Sequence, residues 1–228
     1  MKKFFAFCFF AMAVAAGVDA CSPDKGPVND SPAEIPGKPE TPVRPDGPEP
    51  TPTPTPEPAE GKTLIVYYSF TNNVHAIVED LRTQISADVI RVEPAEKGID
   101  YAANNYAVGS SQIQAIRDNP GSVSSYPEID PVEVDFGQYG TVIVATPLWW
   151  SNMAAPMQSF LFAHGDEMAG KRIGLIVSSA SSGISGVESD SRRLIPDGNF
   201  MSQSLWIRSS QTSGCHSMTA QWLEKMSL

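Results

Sequence analysis

Cysteine is scarce in this chain. Its 228 residues include three cysteines, and only Cys215 lies beyond residue 60. A lone thiol there can form no internal disulfide, and no pair of cysteines has the spacing typical of a zinc site. The simplest interpretation of Cys215 is a small, buried, apolar residue.

Positive charge is also in short supply, with 16 Lys and Arg against 26 Asp and Glu. Residues 61–228 contain 11 Lys and Arg against 17 Asp and Glu, which gives them a net charge of −6. An acidic domain argues against nucleic acid and anionic lipid as partners. The chain has no dinucleotide fingerprint, and the nearest approach to a hydrolase Gly-x-Ser-x-Gly elbow, Gly183-Ile184-Ser185-Gly186, does not fit it.

Residues 1–20 have the pattern of a signal peptide, with Lys2 and Lys3 before an apolar run. The apolar run is too short to be interpreted as a membrane-spanning helix. The segment ends in a small residue directly before Cys21, which resembles a bacterial lipobox. This resemblance implies cleavage before Cys21 and lipidation of its thiol, although Asp19 is an unusual residue in such a motif. Ordinary secretion is the alternative.

The next segment, residues 21–60, is rich in proline, with 13 prolines among residues 22–60. Such a composition cannot bury a core and favours an extended, disordered chain. We expect a linker that holds a domain away from a membrane. The predicted organisation is therefore a signal peptide at 1–20, a lipidated cysteine with a linker at 21–60, and one globular domain at 61–228.

Strand and helix patterns alternate through residues 61–228. The predicted strands are 64–68, 89–92, 141–146, 171–178 and 205–208. The predicted helices are 74–85, 100–118, 153–163, 184–194 and 217–226, with an irregular loop over 121–139. This order predicts an α/β fold, a doubly wound five-stranded parallel sheet with helices on both faces.

Ligands of such sheets bind beyond the carboxyl ends of the strands, where the strand order reverses. Three polar or aromatic segments follow the first, third and fourth predicted strands. They read Ser-Phe-Thr-Asn-Asn-Val at 69–74, Pro-Leu-Trp-Trp-Ser-Asn at 147–152 and Ser-Ser-Ala-Ser-Ser-Gly at 178–183. The first segment leads into a helix, whose N-terminal N–H groups form a natural seat for a phosphate.

In this order and register, the three segments resemble the FMN-contacting loops of the flavodoxin-like family, in particular a subgroup with a Pro-Ile-Trp-Trp loop. The resemblance covers essentially all of residues 62–228. It implies FMN as the cofactor and a task for each segment. The phosphate loop comprises Ser69, Phe70, Thr71, Asn72, Asn73 and Val74. The residues lining the isoalloxazine ring are Pro147, Leu148, Trp149 and Trp150. The residues along the other edge of the ring are Ser178, Ser179, Ala180, Ser181, Ser182 and Gly183.

Two positions depart from the family pattern. Asn72 stands where glycine is expected, and asparagine tolerates positive φ better than most residues. Val74 stands where threonine is expected, so one side-chain hydrogen bond to phosphate is lost, worth roughly 1.5–3 kcal/mol. Adjacent Trp149 and Trp150 point different ways, so we expect one to pack in the core and one to face the site.

The resemblance implies a redox protein, either an electron carrier or an NAD(P)H-dependent reductase of a quinone-like acceptor. The implied partners are FMN and a redox protein or small acceptor. A lipid anchor would place the protein in the cell envelope of a bacterium, facing the periplasm or the surface. The alternative is a flavodoxin-fold binding module that has lost FMN, and a hydrolase is a third, weaker hypothesis.

Overall fold

The computed structural model describes residues 61–228, which form one α/β domain. The predicted signal peptide, the lipidation of Cys21 and the proline-rich linker lie outside the described residues and stay predictions. Within the described part of the chain, no helix is both long enough and apolar enough to cross a membrane.

A mostly parallel sheet forms the centre of the domain. Its strands are β1 (Lys62–Tyr67), β2 (Asp88–Arg91), β3 (Tyr139–Trp149), β4 (Asn152–Met153), β5 (Arg172–Ser179), β6 (Asn199–Phe200) and β7 (Leu205–Arg208). The strand order is β2-β1-β3-β5-β6, with β4 antiparallel to β3 and β7 parallel to β5. The doubly wound fold predicted from the sequence is confirmed.

Five helices cover the two faces of this sheet. They are α1 (Asn73–Arg82), α2 (Ala103–Asp118), α3 (Ala155–His164), α4 (Ser185–Leu194) and α5 (His216–Met226). Because the central strands are apolar on both sides, each face forms its own core. One core contains the buried residues of α1 and α5, and the other contains those of α2, α3 and α4.

The edge of the sheet beside β5 differs from the prediction, which placed a single strand there, over residues 205–208. Two short strands occupy this position in succession, β6 along the start of β5 and β7 along its end. Residues 201–204 break the pairing between them. Two-residue strands leave no periodic pattern, so β4 and β6 were beyond sequence-based prediction.

The helix predicted over residues 100–118 is regular only in its second part. Three consecutive residues, Asn104, Asn105 and Tyr106, have left-handed backbone angles, with φ between 49° and 62°. Two of them are asparagines, which adopt this conformation more readily than other side chains do. The predicted loop at 121–139 contains two short 3-10 turns, at Val123–Ser125 and Phe136–Gln138, and its last residue begins β3.

Candidate functional site

The strand order reverses between β1 and β3, and their carboxyl ends lie beside that of β5. A cleft of about 360 Å³ opens there. Its lining residues are Ser69, Phe70, Thr71, Asn73, Val74, Tyr106, Pro147, Leu148, Trp149, Ser178, Ser179, Ala180 and Ser209. All three predicted segments therefore contribute to one cleft.

Five of the residues predicted from the resemblance do not line this cleft. They are Asn72, Trp150, Ser181, Ser182 and Gly183. Asn72 shapes the turn from outside the cleft, and Trp150 lines a neighbouring cavity. The last three are exposed residues in the connection from β5 to α4.

At one end of the cleft lies the N-terminus of α1. Asn72 adopts φ 62° and ψ 0°, the left-handed conformation that turns the chain into the helix. Among residues 61–228, the backbone N–H groups of Asn73 and Val74 have no hydrogen-bond partner, whereas the N–H of Ala76 already donates to the Asn72 carbonyl. The two unpaired N–H groups and the positive end of the helix dipole suit an anion.

Two hydroxyl groups of this turn accept hydrogen bonds from within the turn, which leaves their own hydrogens available for donation. The Ser69 hydroxyl accepts from the His75 backbone N–H at 3.2 Å, and the Thr71 hydroxyl accepts from the Asn73 amide at 3.1 Å. Both hydroxyl hydrogens can therefore be donated to a group in the cleft. Val74 also lines the cleft, but its side chain is buried in the core beneath α1, so its donor is the backbone N–H.

His75 is held by a hydrogen bond of 2.8 Å between its Nδ1 and the Tyr67 hydroxyl. Burial raises the pKa of Tyr67, although the nearby Arg91 guanidinium opposes this. The phenol therefore stays protonated at neutral pH, and whether it donates to Nδ1 or accepts from it is set by the imidazole tautomer. Arg91 also lies near the turn, with Nη2 3.4 Å from the Ser69 carbonyl and Nε 2.6 Å from the Glu93 carboxylate.

The segment containing Trp149 and Trp150 is a β-hairpin rather than the loop that the sequence indicated. Leu148 pairs with Met153 and Trp149 with Asn152, so Trp150 and Ser151 form a two-residue turn. Their φ values of 46° and 67° are those of a type I′ turn. Neither residue is one that this turn favours, so the hairpin could not be recognised from its turn residues.

Neighbouring helices hold this hairpin in place. The Asp190 carboxylate of α4 accepts from the Asn152 amide and from the Met153 N–H, both at 2.9 Å. Arg117 of α2 donates to the Asn152 side-chain oxygen at 2.8 Å and to the Trp150 carbonyl. The position of the hairpin is therefore fixed from two sides.

Trp149 lies among four other aromatic rings. Its ring centroid is 5.0 Å from that of Tyr101, 5.6 Å from Tyr68, 6.2 Å from Phe70 and 6.3 Å from Trp150. It lines the cleft and also a second, adjoining cavity of about 260 Å³. The residues lining the second cavity are Phe70, Tyr101, Tyr106, Gly109, Leu148, Trp149 and Trp150.

A chain of hydrogen bonds supports the other edge of the cleft. The Trp206 indole N–H donates to the Ser179 hydroxyl at 2.8 Å, and that hydroxyl donates to the Ser182 carbonyl at 2.9 Å. Ser178 and Ser179 are buried at the end of β5, so this edge is anchored to the sheet. Trp206 on the neighbouring strand β7 thus fixes the chain where it leaves β5.

Sequence reasoning missed four residues at or beside the cleft. Tyr106 and Ser209 line it, Arg91 lies near the turn before α1, and Trp206 supports its edge. The Asn-Asn pair before Tyr106 is a signal for a left-handed turn and could have marked this residue. The other three had no local signal, because only the pairing of strands brings them to the site.

The comparisons with known proteins agree with this geometry. A flavodoxin family model matches residues 62–226, and the chain belongs to the flavodoxin family. A flavoprotein candidate from Bacteroides eggerthii is similar in structure, with a TM-score of 0.59 and 19% identity over 74% of this chain and 99% of that one. A comparison with curated protein sequences gives no match.

A flavoprotein from Lactobacillus acidophilus in complex with FMN is also similar. Its TM-score is 0.53, with 20% identity over 69% of this chain and 99% of that protein. At 19% and 20% identity, these two comparisons show a shared fold and nothing further.

Proposed function

We propose that this protein binds FMN in the cleft and acts as a redox protein. The observation that carries the proposal is the polarity of the cleft. Unpaired backbone N–H groups and two hydroxyls belong to the turn before α1, and the apolar side chains of Trp149 and Leu148 line the same cleft. FMN has the same division, with a phosphate dianion at one end and a flat aromatic ring at the other.

The phosphate would lie at the start of α1. There the N–H groups of Asn73 and Val74 and the hydroxyls of Ser69 and Thr71 would replace its water shell. Arg91 adds positive charge near the turn, partly balanced by Glu93. Because Val74 presents no hydroxyl, we expect weaker phosphate binding than a threonine would give.

The ring would lie beyond the ends of β3 and β5. Pro147, Leu148 and Trp149 line one side of this part of the cleft, and Ser178 to Ala180 line another. FMN supplies one- and two-electron redox chemistry when it is bound. The protein residues would orient the ring, exclude water from it and place N–H dipoles near it, which sets the potential.

The partner of this redox protein is either another protein or a small acceptor. We also propose that residues 1–60 tether it to the bacterial cell envelope, through a lipid on Cys21 and the proline-rich linker. The motif at Cys21 and the composition of residues 21–60 support this part of the proposal. An extended linker would let the domain reach a partner at a distance from the membrane.

The test is a comparison of FMN with riboflavin, which has the same ring and no phosphate. Titration of the full-length protein, followed by quenching of flavin fluorescence, gives both dissociation constants. We expect FMN to bind more tightly by about tenfold or more, because a hydrogen bond to a charged group is worth ~1.5–3 kcal/mol. Absence of FMN binding by folded protein would favour the cofactor-free binding module instead.

A further inference from the structure

We propose that a pocket between the carboxyl ends of β1 and β2 binds a small zwitterion, an α-amino acid with an apolar side chain. The site goes beyond the proposed function and does not depend on FMN. The side chains that would recognise the ligand, Tyr68, Arg91 and Glu96, do not line the FMN cleft.

The pocket has a volume of about 270 Å³. Residues 68–70 form one wall, and Arg91 with the loop over residues 93–101 forms the other. It shares Ser69 and Phe70 with the FMN cleft, but neither β3 nor β5 contributes to it. The volume is just below the usual range for ligand pockets, roughly 300–1,000 Å³, and suits a ligand the size of one amino acid.

The loop that forms the outer wall is held in place by the segment before β3. The Lys97 ammonium donates to the Pro94 carbonyl at 2.8 Å and to the Asp130 carboxylate at 2.5 Å. The Ala95 N–H donates to the Glu128 carbonyl, and the Asp130 N–H donates to the Glu93 carbonyl. The pocket is therefore formed before any ligand binds.

Tyr68 supplies a buried donor without a partner. The residue is 3% exposed, and its hydroxyl makes no hydrogen bond within residues 61–228. Burial raises the pKa of Tyr68, and the nearby Tyr101 phenol and Glu93 carboxylate raise it further, so the proton is retained. A buried hydroxyl without a partner is costly, and an oxygen of a ligand in the pocket would remove that cost.

The unpaired charges of the pocket have opposite signs. Arg91 pairs with Glu93 through Nε at 2.6 Å, and its Nη1 has no partner in the described part of the chain. The Glu96 carboxylate forms no ion pair there either, and it lies close enough to Tyr101 to act against ionisation of that buried phenol.

A zwitterion satisfies both signs at once. Its carboxylate would accept from the Tyr68 hydroxyl and from Arg91, and its ammonium would pair with Glu96. A ligand with only one charge would leave the opposite partner unpaired. Phe70, Pro94, Ile99 and Tyr101 also line the pocket, so an apolar side chain would find apolar contacts there.

The test is a calorimetric titration of the full-length protein with L-leucine. We expect saturable one-to-one binding with a dissociation constant of about 1 mM or below. L-Leucinamide lacks the carboxylate, and 4-methylpentanoate lacks the amino group, so each should bind at least about tenfold more weakly. Absence of leucine binding, or equal binding of either analogue, would overturn the proposal.

Tyr68→Phe removes only the hydroxyl and should weaken leucine binding by about tenfold or more. Because the hydroxyl has no partner within the described residues, the variant should melt at no lower temperature than the unaltered protein. Tyr139→Phe is the matched control, since its hydroxyl donates to Asp88 at the opposite end of the sheet. Equal leucine affinity of the two variants, or a clear loss of stability in Tyr68→Phe, would contradict the proposed site.

Glu96→Gln tests the ammonium subsite. This variant should bind leucine several-fold more weakly, and the difference between leucine and 4-methylpentanoate should shrink. An undiminished difference would show that Glu96 does not recognise the amino group and would refute the assignment of a zwitterion.

Repeating the leucine titration with saturating FMN separates this inference from the proposed function. Competitive displacement of leucine by FMN would show that the pocket is part of the cleft and would overturn the inference. FMN binding without leucine binding would refute the new site alone, and leucine binding without FMN binding would refute the proposed function alone.

Discussion

The indole N–H of Trp206 donates a hydrogen bond of 2.8 Å to the hydroxyl of Ser179, which joins strand β7 to the edge of the proposed FMN cleft. Ser179 passes the interaction on to the Ser182 carbonyl at 2.9 Å. The backbone after β5 is thus held by a residue that does not itself line the cleft.

Trp206→Phe should lower the free energy of unfolding by about 0.5–1.5 kcal/mol and weaken FMN binding several-fold, because the loop after β5 loses a hydrogen bond but keeps its packing. Denaturant unfolding and FMN titration measure the two effects. Ser179→Ala and the double variant complete the cycle. Additive effects on FMN binding would show that the Trp206–Ser179 bond does not act on the site.

Asn72 is predicted to be needed for its backbone conformation rather than for its amide. Its φ of 62° costs an ordinary side chain about 1 kcal/mol, whereas glycine adopts it freely. Asn72→Ala should therefore lower the free energy of unfolding by about that amount, and Asn72→Gly should not. Thermal unfolding of the two variants checks this. Equal melting temperatures would mean that the turn rearranges.

Gly186 should be intolerant of any side chain. A Cβ atom there would lie 1.9 Å from the Ser151 carbonyl oxygen, at the turn of the hairpin that carries the two tryptophans. Gly186→Ala should lower the melting temperature by several degrees, since overpacking costs about 1–3 kcal/mol, and should weaken FMN binding. Gly121→Ala, where space is open, serves as the control. An unchanged melting temperature for Gly186→Ala would contradict the packing described for this turn.

Asp80 should make the stability of the domain depend on pH in the acid range. Burial alone would raise the pKa of Asp80, but hydrogen bonds from Thr219 and His216 outweigh burial and lower it below the ordinary 3.8. The lowered pKa stabilises the fold above pH ~4, and this contribution is lost as the pH falls through the folded-state pKa.

Asp80→Asn should therefore be less stable than the unaltered protein at pH 7, and the difference should shrink in more acidic solution. Urea unfolding over a pH series measures it. A difference that is constant down to pH ~3 would contradict this linkage.

Cys215 should be unreactive in the folded protein. Burial raises the pKa of its thiol, and the nearby Asp80 carboxylate raises it further. Little thiolate is then present at neutral pH, and access is restricted. Alkylation mapped by mass spectrometry should be slow at Cys215 in buffer and fast in urea. Rapid modification of the folded protein would point to a role for this thiol that its burial does not indicate.

The sheet and most of the cleft could be predicted from the sequence, because strands buried on both faces appear as continuous apolar runs. Residues 69–71 and 147–149 follow two such runs directly, so strand order alone brought them together. Trp150 lies outside the cleft because it is part of a two-residue turn, and a turn of this type without glycine could not be recognised in the sequence. The contributions of Tyr106 and Trp206 depended on a left-handed turn and on strand pairing, and both arise only in the folded chain.

The most direct test of the central claim is the visible absorption spectrum of the purified full-length protein. A titration with FMN follows, in which binding is measured by the quenching of FMN fluorescence. A flavin band in the purified protein, or saturable one-to-one quenching at micromolar FMN or below, is the predicted result. A colourless protein, shown by circular dichroism to be folded, that does not quench FMN would contradict the FMN site and leave a cofactor-free module.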